Sequence, residues 1–194
     1  MNYFGTIRTT KSFLPILKEQ ASSGSYGAAR IINVVSMAGL TTLAGSSTYF
    51  SSKHATEAFS SCLRTEMMAF NIPVVTINPS FHATDMTENM GLRYMKLWEQ
   101  VSPEIKADYG DEYFMQMYKN STEKVIQLGW NASVVEDQLV ESVESMNPNP
   151  QIIVGSDARY FMLLLRMLPT SFRDKVKGIL QQNKIPAKMK KLSK

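Results

Sequence analysis

Cysteine is nearly absent from this chain of 194 residues, and the lone Cys62 can neither close an intrachain disulfide nor build a Cys-x-x-Cys metal site. Its place in an apolar helical pattern predicts a buried small hydrophobe rather than a reactive thiol. Histidine is equally scarce. His54 and His82 share no metal-ligand spacing, so no metal is expected. The ten glycines nowhere cluster into the strand-to-helix turn that seats a pyrophosphate on a helix N-terminus. No apolar run reaches the length of a spanning helix. The net charge of +4 is less than the charge of the five lysines Lys184, Lys188, Lys190, Lys191 and Lys194. Residues 181–194 therefore read as a basic tail, either a solvated terminus or a peripheral contact with an anionic membrane. No nucleic-acid motif and no aromatic–basic interleaving accompany those lysines, so no nucleic-acid partner is expected.

What is present is globular: 44% of residues are hydrophobic and 20% charged, enough for one domain with a sizeable core. Three short Ile/Val-rich runs, 30–35, 73–78 and 151–154, read as strands. None alternates cleanly between apolar and polar, as expected of parallel strands covered on both faces. Helical stretches separate them, which predicts βα repeats in a doubly wound α/β sheet. The first helix is expected over 2–18 with a disturbance at Pro15, followed by the turn-rich Ser22-Ser23-Gly24-Ser25-Tyr26-Gly27. The second is expected over 48–70, with Ala55, Ala58, Phe59, Cys62, Leu63, Met67 and Phe70 as an apolar stripe facing the sheet or a partner subunit. A further helix is expected from Ala132 to Met146. Residues 84–130 break the rhythm with Met90, Met95, Met115, Met117, Trp98, Tyr109, Tyr113 and Phe114. Such side chains serve either as ordinary core or as the cap of a lipophilic pocket. The run from Tyr160 to Leu165 is too short to span a bilayer and is expected to pack on the domain or lie in a membrane interface.

The chemistry concentrates in Tyr49-Phe50-Ser51-Ser52-Lys53. A phenol and an ammonium at i and i+4 share one helix face about a turn apart. The positive charge favours phenolate, making tyrosine a usable proton donor or acceptor. Ser36 closes the strand-like run thirteen residues upstream, where its hydroxyl can hold a substrate oxygen. Together with Asn2-Tyr3-Phe4-Gly5-Thr6 and Pro79-Ser80-Phe81-His82-Ala83-Thr84, these segments resemble the short-chain dehydrogenase/reductase family. The resemblance covers most of residues 1–180. Its downstream features, Leu97-Trp98-Glu99 and Val154-Gly155-Ser156-Asp157-Ala158, are similar to the retinol and 17β-hydroxysteroid dehydrogenase branch.

The resemblance implies an NAD- or NADP-dependent oxidoreductase that interconverts alcohol and carbonyl on a lipophilic, steroid- or retinoid-like substrate. Asn2, Ser36, Tyr49 and Lys53 would be catalytic. Tyr49 would be the general acid or base, Lys53 its electrostatic partner and a ligand of the nicotinamide ribose, Ser36 the holder of the substrate oxygen, and Asn2 a member of a proton relay. Tyr49, Lys53, Pro79 and Thr84 would line the cofactor. Ser80 stands where the family usually has glycine, a costly exchange if the backbone there needs positive φ. The resemblance also implies a homodimer through helices 2–18 and 48–70, and residence at the endoplasmic reticulum membrane or in the cytoplasm. The family's Thr-Gly-x-x-x-Gly-x-Gly and Asn-Asn-Ala-Gly segments do not occur in the sequence. The expected architecture is thus the C-terminal part of a Rossmann-like sheet, N-terminally truncated by about 100 residues at ~30 per βα unit. It is a single partial domain over 1–180 with a substrate-cap insertion at 84–130. The alternative is a catalytically silent chain acting as an interaction module.

Overall fold

The strand β2, Val74–Pro79, organises the fold, since both of its neighbours pair with it in parallel. In a computed structural model, which describes residues 2–23, 29–84, 87, 89–156, 160, 163–181, 186 and 188–189, β1 (Ile31–Val34) lies on one side of it. On the other side lies β3 (Gln151–Val154). The register sets Ile31 against Val74, and Ile77 against Ile152. Parallel neighbours need crossovers long enough for a helix. These are α2 (Ser47–Met67) between β1 and β2, and the helix Ser133–Glu144 before β3. The α/β class and parallel sheet read from the sequence are therefore found.

Period-two geometry divides β2 between two layers. Val74 faces a cluster with Ile31, Leu63, Met67 and Ile72, against which Leu14, Leu17 and Phe59 pack. Val75 and Ile77 face a second cluster with Val154, against which Val135 and Leu139 pack. Helices on both faces explain why the strands lack polar alternation. The helix α1, Asn2–Ser22, runs on through Pro15 without a break and lies against α2. Arg30 ties the start of β1 to the helix Ser133–Glu144, donating to the Ser142 carbonyl (2.6 Å) and the Ser145 carbonyl (2.9 Å).

The chain forms two units, Met1–Ser80 with Ala132–Met167, and Phe81–Asn131 with Leu168–Lys194. The second unit is helical, with α3 (Met90–Gln100), α4 (Pro103–Tyr109) and α5 (Asp111–Leu128). Ser102 caps α4 ahead of Pro103, and Gly110, at φ 79°, ends it. Trp98 stacks on the buried Phe114 at 4.4 Å and donates its indole N–H to Asp111. Met95, Tyr109 and Met115 are exposed. The helix Ser133–Glu144 is α6; α7 is Leu163–Met167 and α8 is Thr170–Gln181. Of the run ending at Leu165, Leu165 is buried while Tyr160 and Leu164 are exposed, and residues 161–162 lie outside the described ones. Most of the basic tail lies outside them too. No described helix is long and apolar enough to cross a membrane.

One expectation fails. Cys62 is exposed, as are Ala58 and Phe70. The buried residues of α2 are Thr56, Glu57, Ser60, Leu63 and Met67. Only the last two are apolar, because the sheet surface beneath the N-terminal half of α2 is itself polar. Thr76 and Asn78 stand there, both fully buried.

Candidate functional site

The site grows from the C-terminal ends of β1 and β2. Beyond β1 the chain tightens into a 3-10 turn, Met37–Gly39, capped by Ser36, whose Oγ accepts from the Ala38 N–H at 3.1 Å. The same hydroxyl is 3.5 Å from the Pro79 carbonyl at the end of β2, so Ser36 and Pro79 come together. Ser36 is half-buried, with backbone in the extended region.

Opposite this turn α2 begins. Its first residues carry Tyr49, and one turn later Lys53 sends its ammonium back over the sheet, 3.5 Å from the Val34 carbonyl. That ammonium is 5.9 Å from the centre of the Tyr49 ring, within cation–π reach. Burial lowers the Lys53 pKa from its ordinary value. Among the described residues none hydrogen-bonds the Tyr49 hydroxyl, and the contact to Val34 occupies only one of the three N–H groups of Lys53. Asn2 reaches the same turn from α1. Its amide donates to Ser52 Oγ at 3.2 Å, and Ser52 in turn donates to the Tyr49 carbonyl at 2.8 Å.

The approach of α2 to the Ser36 turn is close because Gly39 has no side chain. A Cβ there would meet the Lys53 carbonyl at 3.0 Å, a Val35 methyl at 3.0 Å and Glu57 Cβ at 3.2 Å. Glu57, one turn beyond Lys53, accepts from Asn78 Nδ2 (2.8 Å), Gln151 Nε2 (2.7 Å) and Thr76 Oγ1 (3.3 Å). Asn78 Nδ2 also donates to the Ser36 carbonyl at 3.0 Å. Glu57, Asn78 and Gly39 belong to none of the sequence motifs. The available signal for Glu57 was spacing, since a residue four beyond Lys53 shares its face.

Ser80 carries no backbone penalty, because Asn71 is the one described non-glycine residue with positive φ. Its N–H donates to the Val154 carbonyl at 2.9 Å. Thr84 belongs to the second unit, where its N–H donates to Thr87 Oγ1 at 2.9 Å. His82, in the same unit, is buried and bridges Trp130 through the backbone. Among the described residues no three His, Cys, Asp or Glu side chains gather as a metal site.

This arrangement presents a hydroxyl, a phenol and a partly desolvated ammonium at the mouth of two parallel strands. Such a donor set fits the ribose and carbonyl end of a nicotinamide nucleotide, whereas a pyrophosphate finds no glycine-rich turn in this sequence. Residues 1–94 match the family described as short chain dehydrogenase. Retinol dehydrogenase 16 of Rattus norvegicus is 31% identical over 176 residues, which are 90% of this chain and 53% of that protein. The 17-beta-hydroxysteroid dehydrogenase type 6 of Homo sapiens gives the same identity and coverage. Among solved structures, a short chain dehydrogenase from Burkholderia cenocepacia in complex with NADP matches with a TM-score of 0.59 at 18% identity. That match covers 90% of this chain and 55% of that one. An actinorhodin polyketide ketoreductase with NADPH matches at a TM-score of 0.57 and 22% identity, over 82% of this chain and 57% of that one. The chain spans about half the length of the curated relatives it matches. These similarities agree with the resemblance read from Ser36, Tyr49 and Lys53, and the fold expected from it is found.

Proposed function

We propose that this chain, a relative of the short-chain dehydrogenases and reductases, carries the catalytic part of an NAD(P)-dependent oxidoreductase. The reaction interconverts a secondary or allylic alcohol and its carbonyl on a lipophilic, steroid- or retinoid-like substrate. The single observation that supports this reading is Lys53, whose backbone packs on the turn that Ser36 caps and whose ammonium lies 3.5 Å from the Val34 carbonyl and 5.9 Å from the Tyr49 ring, with the phenol hydroxyl left without a bond to any described residue. Tyr49 gives a proton to the carbonyl oxygen, or takes one from the alcohol, within hydrogen-bond reach. Ser36 holds that oxygen. Lys53 sets positive charge beside the phenol and offers its remaining N–H groups to a ribose diol. Asn2, tied to Ser52, joins the relay that returns the proton to solvent. The nucleotide, when bound, supplies or accepts the hydride, and the protein supplies position and electrostatics. Pro79 and Thr84 belong to the loop on its nicotinamide side.

In this reading residues 1–180 act as one partial Rossmann-like domain, 84–130 cap the substrate and 181–194 form a basic tail. The substrate class rests on the identity to retinol dehydrogenase 16 and 17-beta-hydroxysteroid dehydrogenase type 6. The location belonging to this reading is the endoplasmic reticulum membrane, by peripheral attachment, or the cytoplasm. A second reading, a silent interaction module, is favoured by the exposed Phe4, Phe13 and Ile16 of α1 and the exposed Ala58 of α2. Homodimerisation through α1 and α2 would cover them in either case. The experiment is a screen of steroid and retinoid alcohols and ketones with NADH and NADPH, followed at the nicotinamide absorbance. Saturable turnover supports the enzyme. Absence of turnover and of nucleotide binding in the folded protein supports the module.

A further inference from the structure

A carboxylate stands fully inside this fold where only apolar contacts would be needed for packing. Glu57 lies on the sheet-facing side of α2, is 9% exposed, and accepts hydrogen bonds from Thr76 and Asn78 on β2 and from Gln151 on β3. Asn78, on the strand between, is fully buried and uses one amide nitrogen twice, toward Glu57 Oε2 and toward the carbonyl of Ser36. Its own Oδ1 is buried without a partner. An orphaned buried acceptor is destabilising. The amide is therefore held for what its nitrogen joins, the Ser36 turn on one side and the helix carrying Tyr49 and Lys53 on the other.

We infer that Glu57 and Asn78 are positioning residues, a clamp that sets the Ser36 turn against α2 and so fixes the separation of Ser36 from Tyr49 and Lys53. The inference rests on the roles proposed above for those three side chains. The two acceptor oxygens of Glu57 are what make the clamp work. A carboxylate accepts on both oxygens, from three donors at once. Glutamine in its place accepts on one oxygen only, so an N–H₂ group would face either Asn78 Nδ2 or the Gln151 and Thr76 donors. Turning the Asn78 amide over relieves the first clash only by setting its oxygen against the Ser36 carbonyl. The second arrangement keeps the Asn78 link once the Gln151 amide turns over and Thr76 accepts, whereas leucine in place of Glu57 leaves Asn78 no acceptor on α2 in any arrangement.

The test is Glu57→Leu, with Asn78→Ala and the double variant, in the active protein. Two readouts are needed: steady-state kinetics, and hydrogen exchange of the amides over 36–41 and 50–57. The clamp predicts a kcat at least tenfold lower with the KM for the nicotinamide nucleotide within about threefold, since geometry needed only in the transition state is lost. It also predicts exchange at least tenfold faster in both segments, and a double variant no worse than the more damaged single one. Glu57→Asp, which keeps both acceptor oxygens, recovers part of kcat. A lowered unfolding midpoint with kcat unchanged would make Glu57 merely structural and overturn the inference. So would wild-type exchange in Glu57→Leu. If the wild type itself turns over nothing, the functional reading fails, and exchange alone still decides whether Glu57 joins the Ser36 turn to α2.

Discussion

Replacing Gly39 by alanine isolates one steric contact that the site depends on. The new methyl would lie 3.0 Å from the Lys53 carbonyl, a helix backbone atom that cannot rotate away, and 3.0 Å from Val35 Cγ1. Ordinary van der Waals contact begins some tenths of an ångström further out, so α2 has to move as a body at the turn that carries Lys53. Overfilling a packed site in this way costs about 1–3 kcal/mol. Against it stands the reduced freedom of the unfolded chain, which favours alanine over glycine by about 0.4–1 kcal/mol where the backbone permits it. The backbone does permit it, because Gly39 is not among the positive-φ residues. At mid-range values, about 2 against about 0.7 kcal/mol, the steric term wins and leaves a net loss of about 1.3 kcal/mol. For a chain of this length that is a fall of about 3–5 °C in the unfolding midpoint. Gly5 supplies the contrast: it lies in α1 with nothing within 4 Å of an added Cβ. Gly5→Ala is expected to stabilise by about 0.5–1 kcal/mol through helix propensity. Thermal unfolding followed by circular dichroism measures both. A Gly39→Ala protein as stable as the wild type, or stabilised like Gly5→Ala, would refute the close approach of α2 to the Ser36 turn.

Two further outcomes test neighbouring features. Burial lowers the Lys53 pKa from 10.5, so between the folded value and 10.5 the unfolded chain holds more protons and stability rises with pH. That increment is complete above 10.5 and is lost as pH falls through the folded pKa. Lys53→Met lacks it, so the urea midpoint of wild type relative to the variant should climb with pH in this window; parallel profiles would contradict the desolvation. Cys62 is exposed, so a thiol reagent should modify the native protein in one equivalent at a rate close to that in urea. A native rate slower by a hundredfold would return Cys62 to the interior.

The strands and the Tyr49–Lys53 pair were legible because each rests on a short-range period. Apolar runs flanked by helical stretches can satisfy both of their faces only in a parallel sheet, and spacing of four places two residues on one helix face. The sheet-facing side of α2 was not legible by the same rule. The apolar stripe is expected to face the sheet or a partner subunit, yet β2 offers Thr76 and Asn78 to that helix, so Glu57 and Ser60 are drawn inward while Ala58 and Cys62 turn out. Asn33, which donates to Ser60 Oγ at 2.8 Å, extends the same polar layer to β1. Such a layer depends on which strand residue meets which helix residue, a tertiary fact that no single window of sequence contains. Gly39 hid for a similar reason. Its importance lies in the proximity of Lys53 and Glu57, fourteen and eighteen positions away.

The most direct test of the account compares the wild type with Tyr49→Phe, using whichever carbonyl substrate turns over with NADH or NADPH. A positioned general acid contributes about 10²–10⁴ in rate, and the phenol hydroxyl has no hydrogen-bond partner among the described residues to lose. The variant should therefore fold with the wild-type unfolding midpoint while kcat falls at least about a hundredfold. A folded Tyr49→Phe protein turning over within about threefold of wild type would show that Tyr49 is not the proton donor, and the assignment built on Ser36, Tyr49 and Lys53 would fall with it.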